Sequence, residues 1–421
     1  MNSRERVKKA LEHGEADRVP VDMGGSLVTG MQVSMVYKLR QALGLDAPGT
    51  PVKVIDPFQM LGEIAPDLME KLGIDVICLG RSTNLFGFRN ENWKPWKTFD
   101  GTPVLVGEGF NTDPEPNGDI MMYPEGDRSA PPSGRMPKGG WYFDAIARQE
   151  PIDDEKLNVE DNLEEFGDLP ERELEYLKNE ADRLFTKTDK AIFANFGGTA
   201  FGDIALVPAP WLKNPKGIRG IEEWYMSTVL RKGYVYEVFE KQCERAIKNL
   251  EKIYRVVGDS VTSAFITGTD FGMQSGPFIS PNAYRDLYKP FHRRVNDWIH
   301  RNTKWKTFMH SCGSVRVFLD DFVEAGFDVL NPVQISAAGM DARELKKEFG
   351  KHLTFWGGGV DTQKTLPFGK PEDVRKEVRE RLEIFMPGGG FVFNPIHNVQ
   401  AQVPVENLIA MFETVRKYGK Y

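Results

Sequence analysis

The chain has 421 residues, of which 40% are hydrophobic and 27% are charged. This composition is that of an ordinary globular protein, and the length allows two or three average domains or one α/β barrel with insertions. The net charge of −7, without a basic block or stripe, argues against a nucleic-acid-binding protein.

The N-terminal segment and the cysteine content indicate the cellular compartment. Residues 1–20 are charged and helical in pattern, and they lack the apolar core of a signal peptide. No stretch approaches the roughly 18 apolar residues that a membrane span needs. Three cysteines, Cys78, Cys243 and Cys312, suit a reducing compartment better than a disulfide framework. We therefore expect a cytoplasmic protein that does not span a membrane.

Short apolar runs alternate with helix-length amphipathic segments along the chain. Strands are predicted at residues 18–25, 74–80, 191–198, 261–270, 305–312, 329–334, 353–358 and 390–397. Helices are predicted at residues 33–43, 171–187, 222–257, 281–301, 315–325, 342–349, 371–384 and 405–417. Eight strand–helix units predict an α/β fold in which a parallel sheet closes into a (β/α)8 TIM barrel. Residues 1–421 would form this single domain, with the active site at the C-terminal ends of the strands.

One long insertion interrupts this alternation after an early strand, at residues 81–149. It is rich in proline, glycine and aromatic residues. Residues 102–106 alternate weakly and are predicted to pair with residues 120–123 in a small antiparallel sheet. An insertion at this position would either cover the mouth of the barrel or form an oligomer contact.

The segment Met309-His310-Ser311-Cys312-Gly313 carries two metal-binding side chains at the end of the predicted strand 305–312. Residues two apart on a strand point to the same side, so His310 and Cys312 can face one centre. His397 ends the last predicted strand and would lie at the same rim. Three ligands with an open fourth position are typical of catalytic zinc. The spacing alone also fits a chance His-x-Cys pair and a structural histidine.

Polar residues at other strand ends are further candidates. Asp270 ends the strand 261–270, where it could act as a fourth ligand, a proton carrier, a partner that orients a ligand histidine, or a cap for the following loop. Candidates for substrate binding, located at or near the ends of other strands, are Asp22, Gln334, Trp356 and Asn394.

Taken together, these motifs resemble the uroporphyrinogen decarboxylase superfamily, whose members are single (β/α)8 barrels. The resemblance runs from Asp17-Arg18-Val19-Pro20 through residues 274–290 to Phe393-Asn394-Pro395-Ile396-His397. Uroporphyrinogen decarboxylase itself has an Arg-Gln-Ala-Gly-Arg motif that binds substrate carboxylates, and the corresponding residues 23–28 and 34–37 lack it. Its Asn-x-x-His motif is matched by Asn394 and His397. A decarboxylase acting on a tetrapyrrole is therefore the alternative interpretation.

The chain is more similar to the cobalamin-dependent methyltransferases of this superfamily, which bind zinc through a His-x-Cys motif and a C-terminal cysteine. His310 and Cys312 match the first motif, and His397 stands where those relatives have cysteine. The resemblance implies Zn²⁺ bound by these three residues, with catalytic roles for Asp270 and His397. It also implies a small methylated substrate, such as a methoxylated or methylamine compound, and cobalamin carried by a separate corrinoid protein. A homodimer is compatible with this superfamily.

Overall fold

The computed structural model describes residues 1–197 and 199–421. Gly198, the last residue of the predicted strand 191–198, lies outside the described residues. The strands are β1 (Val52–Asp56), β2 (Leu61–Gly62), β3 (Val76–Leu79), β4 (Lys94–Lys97), β5 (Pro103–Val106), β6 (Ile120–Met122), β7 (Gly134–Met136), β8 (Asp144–Ala145), β9 (Ala191–Ala194), β10 (Val261–Thr267), β11 (Lys306–His310), β12 (Val329–Asn331), β13 (Thr354–Trp356) and β14 (Phe391–Val392).

The described residues also form α-helices. They are α1 (Ser3–Leu11), α2 (Val33–Ala42), α3 (Pro66–Leu72), α4 (Glu171–Lys187), α5 (Ile221–Leu230), α6 (Lys232–Val257), α7 (Pro281–Leu287), α8 (Lys289–Asn302), α9 (Leu319–Glu324), α10 (Ala342–Phe349), α11 (Thr365–Phe368), α12 (Pro371–Phe385) and α13 (Val405–Tyr418). In residues 1–197 and 199–421, none of them combines the length and the apolar composition that a membrane span requires.

A curled, seven-stranded parallel sheet forms the centre of the molecule. Its strand order is β3, β9, β10, β11, β12, β13, β14, so consecutive strands of the sheet are neighbours. Strands β9, β12 and β13 are buried along their whole length. Continuous apolar strands of this kind are typical of a parallel sheet that is covered by helices on its outer face and filled by side chains inside. The predicted TIM-barrel fold is confirmed.

The prediction of a regular strand at residues 18–25 is wrong, because this segment forms only isolated bridges. Its backbone nevertheless joins the two edges of the sheet. The Asp22 N–H donates to the Phe393 carbonyl (2.9 Å), and the Asp75 N–H donates to the Val21 carbonyl (2.8 Å). The proline before Val21 has no N–H to contribute to a ladder, so an irregular segment takes the eighth position.

Two long predicted helices are each divided in two. Predicted helix 222–257 is α5 and α6, which meet at Arg231, and predicted helix 281–301 is α7 and α8, which meet at Tyr288. Pro290 is in the first turn of α8, where its missing N–H costs nothing, and inside a continuous helix it would have removed a hydrogen bond. Predicted helix 315–325 is a 3₁₀ turn (Arg316–Phe318) followed by α9.

The insertion contains antiparallel sheet, but the predicted pairing of residues 102–106 with residues 120–123 is wrong. Strand β5 pairs with β4 in antiparallel orientation and with β1 in parallel orientation, and β6 pairs with β7. The Asp100 carboxylate accepts hydrogen bonds from the hydroxyls of Thr98 and Thr102 and closes a tight turn between β4 and β5. A hairpin across so short a loop loses less chain entropy than pairing with a more distant strand.

Candidate metal centre

Three side chains from two distant parts of the chain converge at the C-terminal end of the sheet. The ligand atoms of His310, Cys312 and His397 all lie within 4.8 Å of one another. His310 is buried, and the other two side chains are partly buried. The structure therefore brings together the three residues that the sequence predicted as one set, and their role as metal ligands stays a prediction.

His310 ends β11 and is held by a neighbouring strand. Its Nδ1 lies 2.6 Å from the Asn331 Oδ1, and Asn331 ends β12 directly beside it in register. The His310 Nε2 lies 3.4 Å from the Cys312 Sγ. Burial lowers the pKa of His310 to about 4, although the contact with Asn331 acts in the opposite direction. The imidazole is therefore neutral at physiological pH, as a metal ligand must be.

Cys312 follows β11 in a turn that is fixed by side chains from other strands. Its backbone N–H donates to the Asp270 Oδ1 (2.7 Å), and the next N–H, that of Gly313, donates to the Gln334 Oε1 (2.7 Å). Burial, followed by the nearby Asp270 carboxyl, raises the pKa of the Cys312 thiol well above its usual value. A bound divalent cation would act in the opposite direction, because a coordinating thiol is deprotonated.

His397 faces the first imidazole from the end of the last strand segment. The two rings are nearly perpendicular, with centroids 5.3 Å apart. The His397 Nδ1 accepts a hydrogen bond from the backbone N–H of Asn398 (2.8 Å). Burial lowers the pKa of His397 to about 3, and the neighbouring His310 adds to this effect. Both imidazoles are thus neutral and close enough to share one ion.

Two carboxyl groups lie behind Cys312, and sequence reasoning identified only one of them. Asp270 binds the Cys312 N–H, and its own carbonyl accepts from the Tyr225 hydroxyl (2.6 Å). Asp203 was missed. It is 8% exposed, and burial, with a further contribution from Asp270, raises its pKa to about 7. Asp203 lies beyond the end of the predicted strand 191–198, so the strand-end rule that selected Asp270 does not reach it.

Three of the predicted substrate-binding residues form one buried network. Asp22 and Trp356 are each 1% exposed, and the Trp356 Nε1 donates to the Asp22 Oδ2 (2.8 Å). Asn394 is fully buried, and its Nδ2 donates to the carbonyls of Asp22 (3.0 Å) and Thr29 (3.3 Å). Burial raises the pKa of Asp22 to about 6. These contacts join the first and last segments of the barrel, and substrate binding by the three residues stays a prediction.

The fourth predicted substrate-binding residue, Gln334, holds the turn at Gly313. Its Nε2 donates to the Gln274 Oε1 (2.9 Å), while its Oε1 accepts from Gly313. Both ends of the amide are therefore engaged. In this arrangement Gln334 holds the backbone that follows Cys312, and binding of substrate by Gln334 stays a prediction.

Comparison with known sequences gives related but distant proteins. Residues 235–418 match the sequence profile of the family described as uroporphyrinogen decarboxylase (URO-D). The uroporphyrinogen decarboxylase of Pseudoalteromonas atlantica is 23% identical over 265 residues, and that of Mannheimia succiniciproducens is 24% identical over 269 residues. These alignments cover 59% and 60% of this chain and 66% of the length of each relative.

Comparison with solved structures adds a neighbour that covers the whole chain. A methyltransferase from Methanosarcina mazei superposes with a TM-score of 0.55 over 99% of both chains. Sequence identity in this superposition is 16%, so the likeness concerns the fold.

Proposed function

We propose that this chain, whose residues 235–418 match the uroporphyrinogen decarboxylase family, is a zinc-dependent methyltransferase. It would move a methyl group between a small methylated substrate and a separate corrinoid protein. The observation that carries the proposal is the cluster of His310, Cys312 and His397, whose ligand atoms lie within 4.8 Å of one another. The curated decarboxylase relatives and the methyltransferase neighbour both support an enzyme.

The donor set fits zinc. Two neutral imidazoles and one thiol are the nitrogen and sulfur ligands that this borderline-soft ion takes, and three protein ligands leave a fourth position for substrate. When bound, zinc would supply Lewis acidity that polarises the heteroatom carrying the methyl group. With His397 in place of a second thiolate, the site has less negative charge. This ligand set favours a methoxylated or methylamine substrate over a free thiol acceptor.

The surrounding residues would then position the ligands and carry a proton. Methyl transfer would break the carbon–heteroatom bond and leave its electron pair on the heteroatom, which would take up a proton. A reduced corrinoid on the partner protein would supply the electron pair of the new bond. We assign this proton to the Asp270 carboxyl. It contacts the Cys312 backbone, and burial raises its pKa, so it holds a proton more readily than a surface aspartate does.

Metal content and methyl transfer test this proposal together. Wild-type protein purified without chelators should contain about one zinc per chain and should methylate cob(I)alamin from a methoxylated or methylamine donor. His310→Ala and Cys312→Ala should lose both properties. Cys243→Ala is the matched control, because Cys243 is a fully buried cysteine in α6 and is absent from the His–Cys–His cluster. Wild-type protein without zinc, or a Cys312→Ala variant with full methyl transfer, would contradict the proposal.

A decarboxylase acting on a tetrapyrrole is the second candidate, because the matched relatives carry that name. A substrate with many carboxylates needs several arginines at the barrel mouth. Arg81, at the end of the β3 segment, is the obvious one, and it already lies 3.9 Å from the Glu173 carboxylate. Decarboxylation of uroporphyrinogen by chelator-treated protein would favour this candidate. It would also overturn the zinc-dependent mechanism.

A further inference from the structure

The side chain of Asn331 connects the metal-binding pair to the rest of the sheet. Asn331 is fully buried at the end of β12. Its Oδ1 lies 2.6 Å from the His310 Nδ1, and its Nδ2 lies 2.7 Å from the backbone carbonyl of Trp356. Sequence reasoning did not select this residue, although it ends a strand next to the one that carries His310.

These two contacts determine which nitrogen of His310 carries the proton. A backbone carbonyl can only accept a hydrogen bond, so the amide nitrogen of Asn331 must face Trp356. The amide oxygen must then face His310, and it too can only accept. The His310 Nδ1 therefore carries the proton, and in a neutral imidazole the Nε2 keeps its lone pair. That Nε2 is the atom that lies 3.4 Å from the Cys312 Sγ.

The other imidazole is held in the opposite state. The His397 Nδ1 accepts from the Asn398 N–H, so its Nε2 carries the proton. A neutral His397 that binds a metal through Nδ1 would use the lone pair that this N–H occupies. A neutral His397 that binds through Nε2 would need a proton on Nδ1, which then could not accept. In either case the contact with Asn398 must break, whereas His310 can bind without rearrangement.

We propose that Asn331 is a positioning residue that makes His310 bind a metal through Nε2. His310 and Cys312 are then the primary chelating pair, and His397 is the last ligand to bind. The inference rests on the metal site of the proposed function. Asn331 would act on the site without touching the ion, through its contact with His310. Partners of this kind fix the orientation of ligand histidines and raise their basicity.

Zinc affinity of matched variants tests the role of Asn331. Asn331→Leu keeps the side-chain shape and removes both hydrogen bonds, and we expect zinc affinity to fall about 10–100-fold. Asn331→Asp keeps an acceptor for His310 and should retain zinc affinity close to wild type. Asn407→Leu is the control, because Asn407 is a fully buried asparagine in α13 whose Nδ2 donates to the carbonyls of Leu366 and Gly369.

The outcomes separate a positioning role from a structural one. Competition with a chromophoric chelator gives the affinity, and cobalt(II) substitution reports the thiolate ligand by its absorption. The inference is wrong if Asn331→Leu and Asn407→Leu have equal zinc affinity. It is also wrong if Asn331→Asp binds zinc as weakly as Asn331→Leu. His397→Ala should weaken zinc binding less than His310→Ala, and the reverse order would also overturn it.

A measurement on the wild-type protein keeps the test independent of the variants and of methyl transfer. With ¹⁵N-labelled histidine, the metal-free protein should give the His310 signal of an Nδ1-protonated ring, which is identified by its loss in His310→Gln. An Nε2-protonated ring would refute the assignment of Asn331. If the tautomer and zinc results hold while methyl transfer is absent, the proposed function fails and the inference stands.

Discussion

Replacing Gly313 with alanine tests how the turn after His310 and Cys312 is built. Gly313 has a φ of +83°, which L side chains rarely adopt. An added Cβ would lie 2.4 Å from the backbone carbonyl of Gly272 and 2.7 Å from the backbone nitrogen of Met273. Because these atoms belong to the main chain, they cannot rotate away as a flexible side chain could. We therefore expect Gly313→Ala to displace the turn and, with it, Cys312.

Two contributions to the free energy of unfolding add at this position. A residue with a Cβ loses about 1–2 kcal/mol in the left-handed region. Forcing an extra carbon into a packed site costs about 1–3 kcal/mol. Gly139 separates the two contributions, since it has a φ of +78°, it is exposed, and among the described residues no atom beyond its two chain neighbours lies within 4 Å of its added Cβ. Gly139→Ala should cost only the first contribution, and Gly313→Ala about 2–5 kcal/mol in total.

Urea unfolding followed by tryptophan fluorescence gives both free energies by linear extrapolation. The Gly313 N–H donates to Gln334 and the Cys312 N–H donates to Asp270, and these hydrogen bonds fix the position of the turn. Because the alanine would displace the turn, Gly313→Ala should also bind zinc more weakly. Gly139→Ala should bind zinc like wild type. Equal losses of stability in the two variants, with unchanged zinc affinity in Gly313→Ala, would refute the reasoning.

Three further predictions concern stability. Burial raises the pKa of Asp56 from 3.8 to about 6, so the folded protein holds this proton more tightly and its stability falls as pH rises from about 4 to 6. Asp56→Asn removes this dependence and should gain about 2 kcal/mol on wild type between pH 4 and pH 7 in urea unfolding, whereas a constant difference would contradict the assignment. Asp75 is fully buried, and its carboxylate accepts hydrogen bonds from Arg6 and Arg18, each at 2.7 Å. Asp75→Asn should lower the free energy of unfolding by about 3–5 kcal/mol, measured by the same method. A loss below about 1 kcal/mol would count against a buried ion pair. Chelator treatment should lower the melting temperature, and added zinc should restore it. At a thousandfold excess of zinc over Kd, the free energy of unfolding should rise by about 4 kcal/mol. A similar response in Cys312→Ala would place the stabilising zinc elsewhere.

Most of the barrel could be predicted from the sequence because apolar runs and amphipathic segments are local patterns. Seven of the eight predicted strands are in the parallel sheet. The prediction of a strand at residues 18–25 was wrong because apolar character indicates burial and does not ensure a regular ladder of backbone hydrogen bonds. The pairing of β5 failed for a related reason. Alternation shows that a strand exists, and its partner depends on which loop closes with the least loss of entropy.

The sequence by itself determined the candidate ligands. His310 and Cys312 lie two residues apart at a strand end, His397 ends another strand, and the C-terminal ends of parallel strands meet at one rim. The tertiary structure alone decided what surrounds them. Asn331 acts on His310 from 21 residues away, and Trp356 contacts Asp22 across 334 residues. Such contacts depend on the register between strands and on the orientation of single side chains, and neither is encoded in a local pattern.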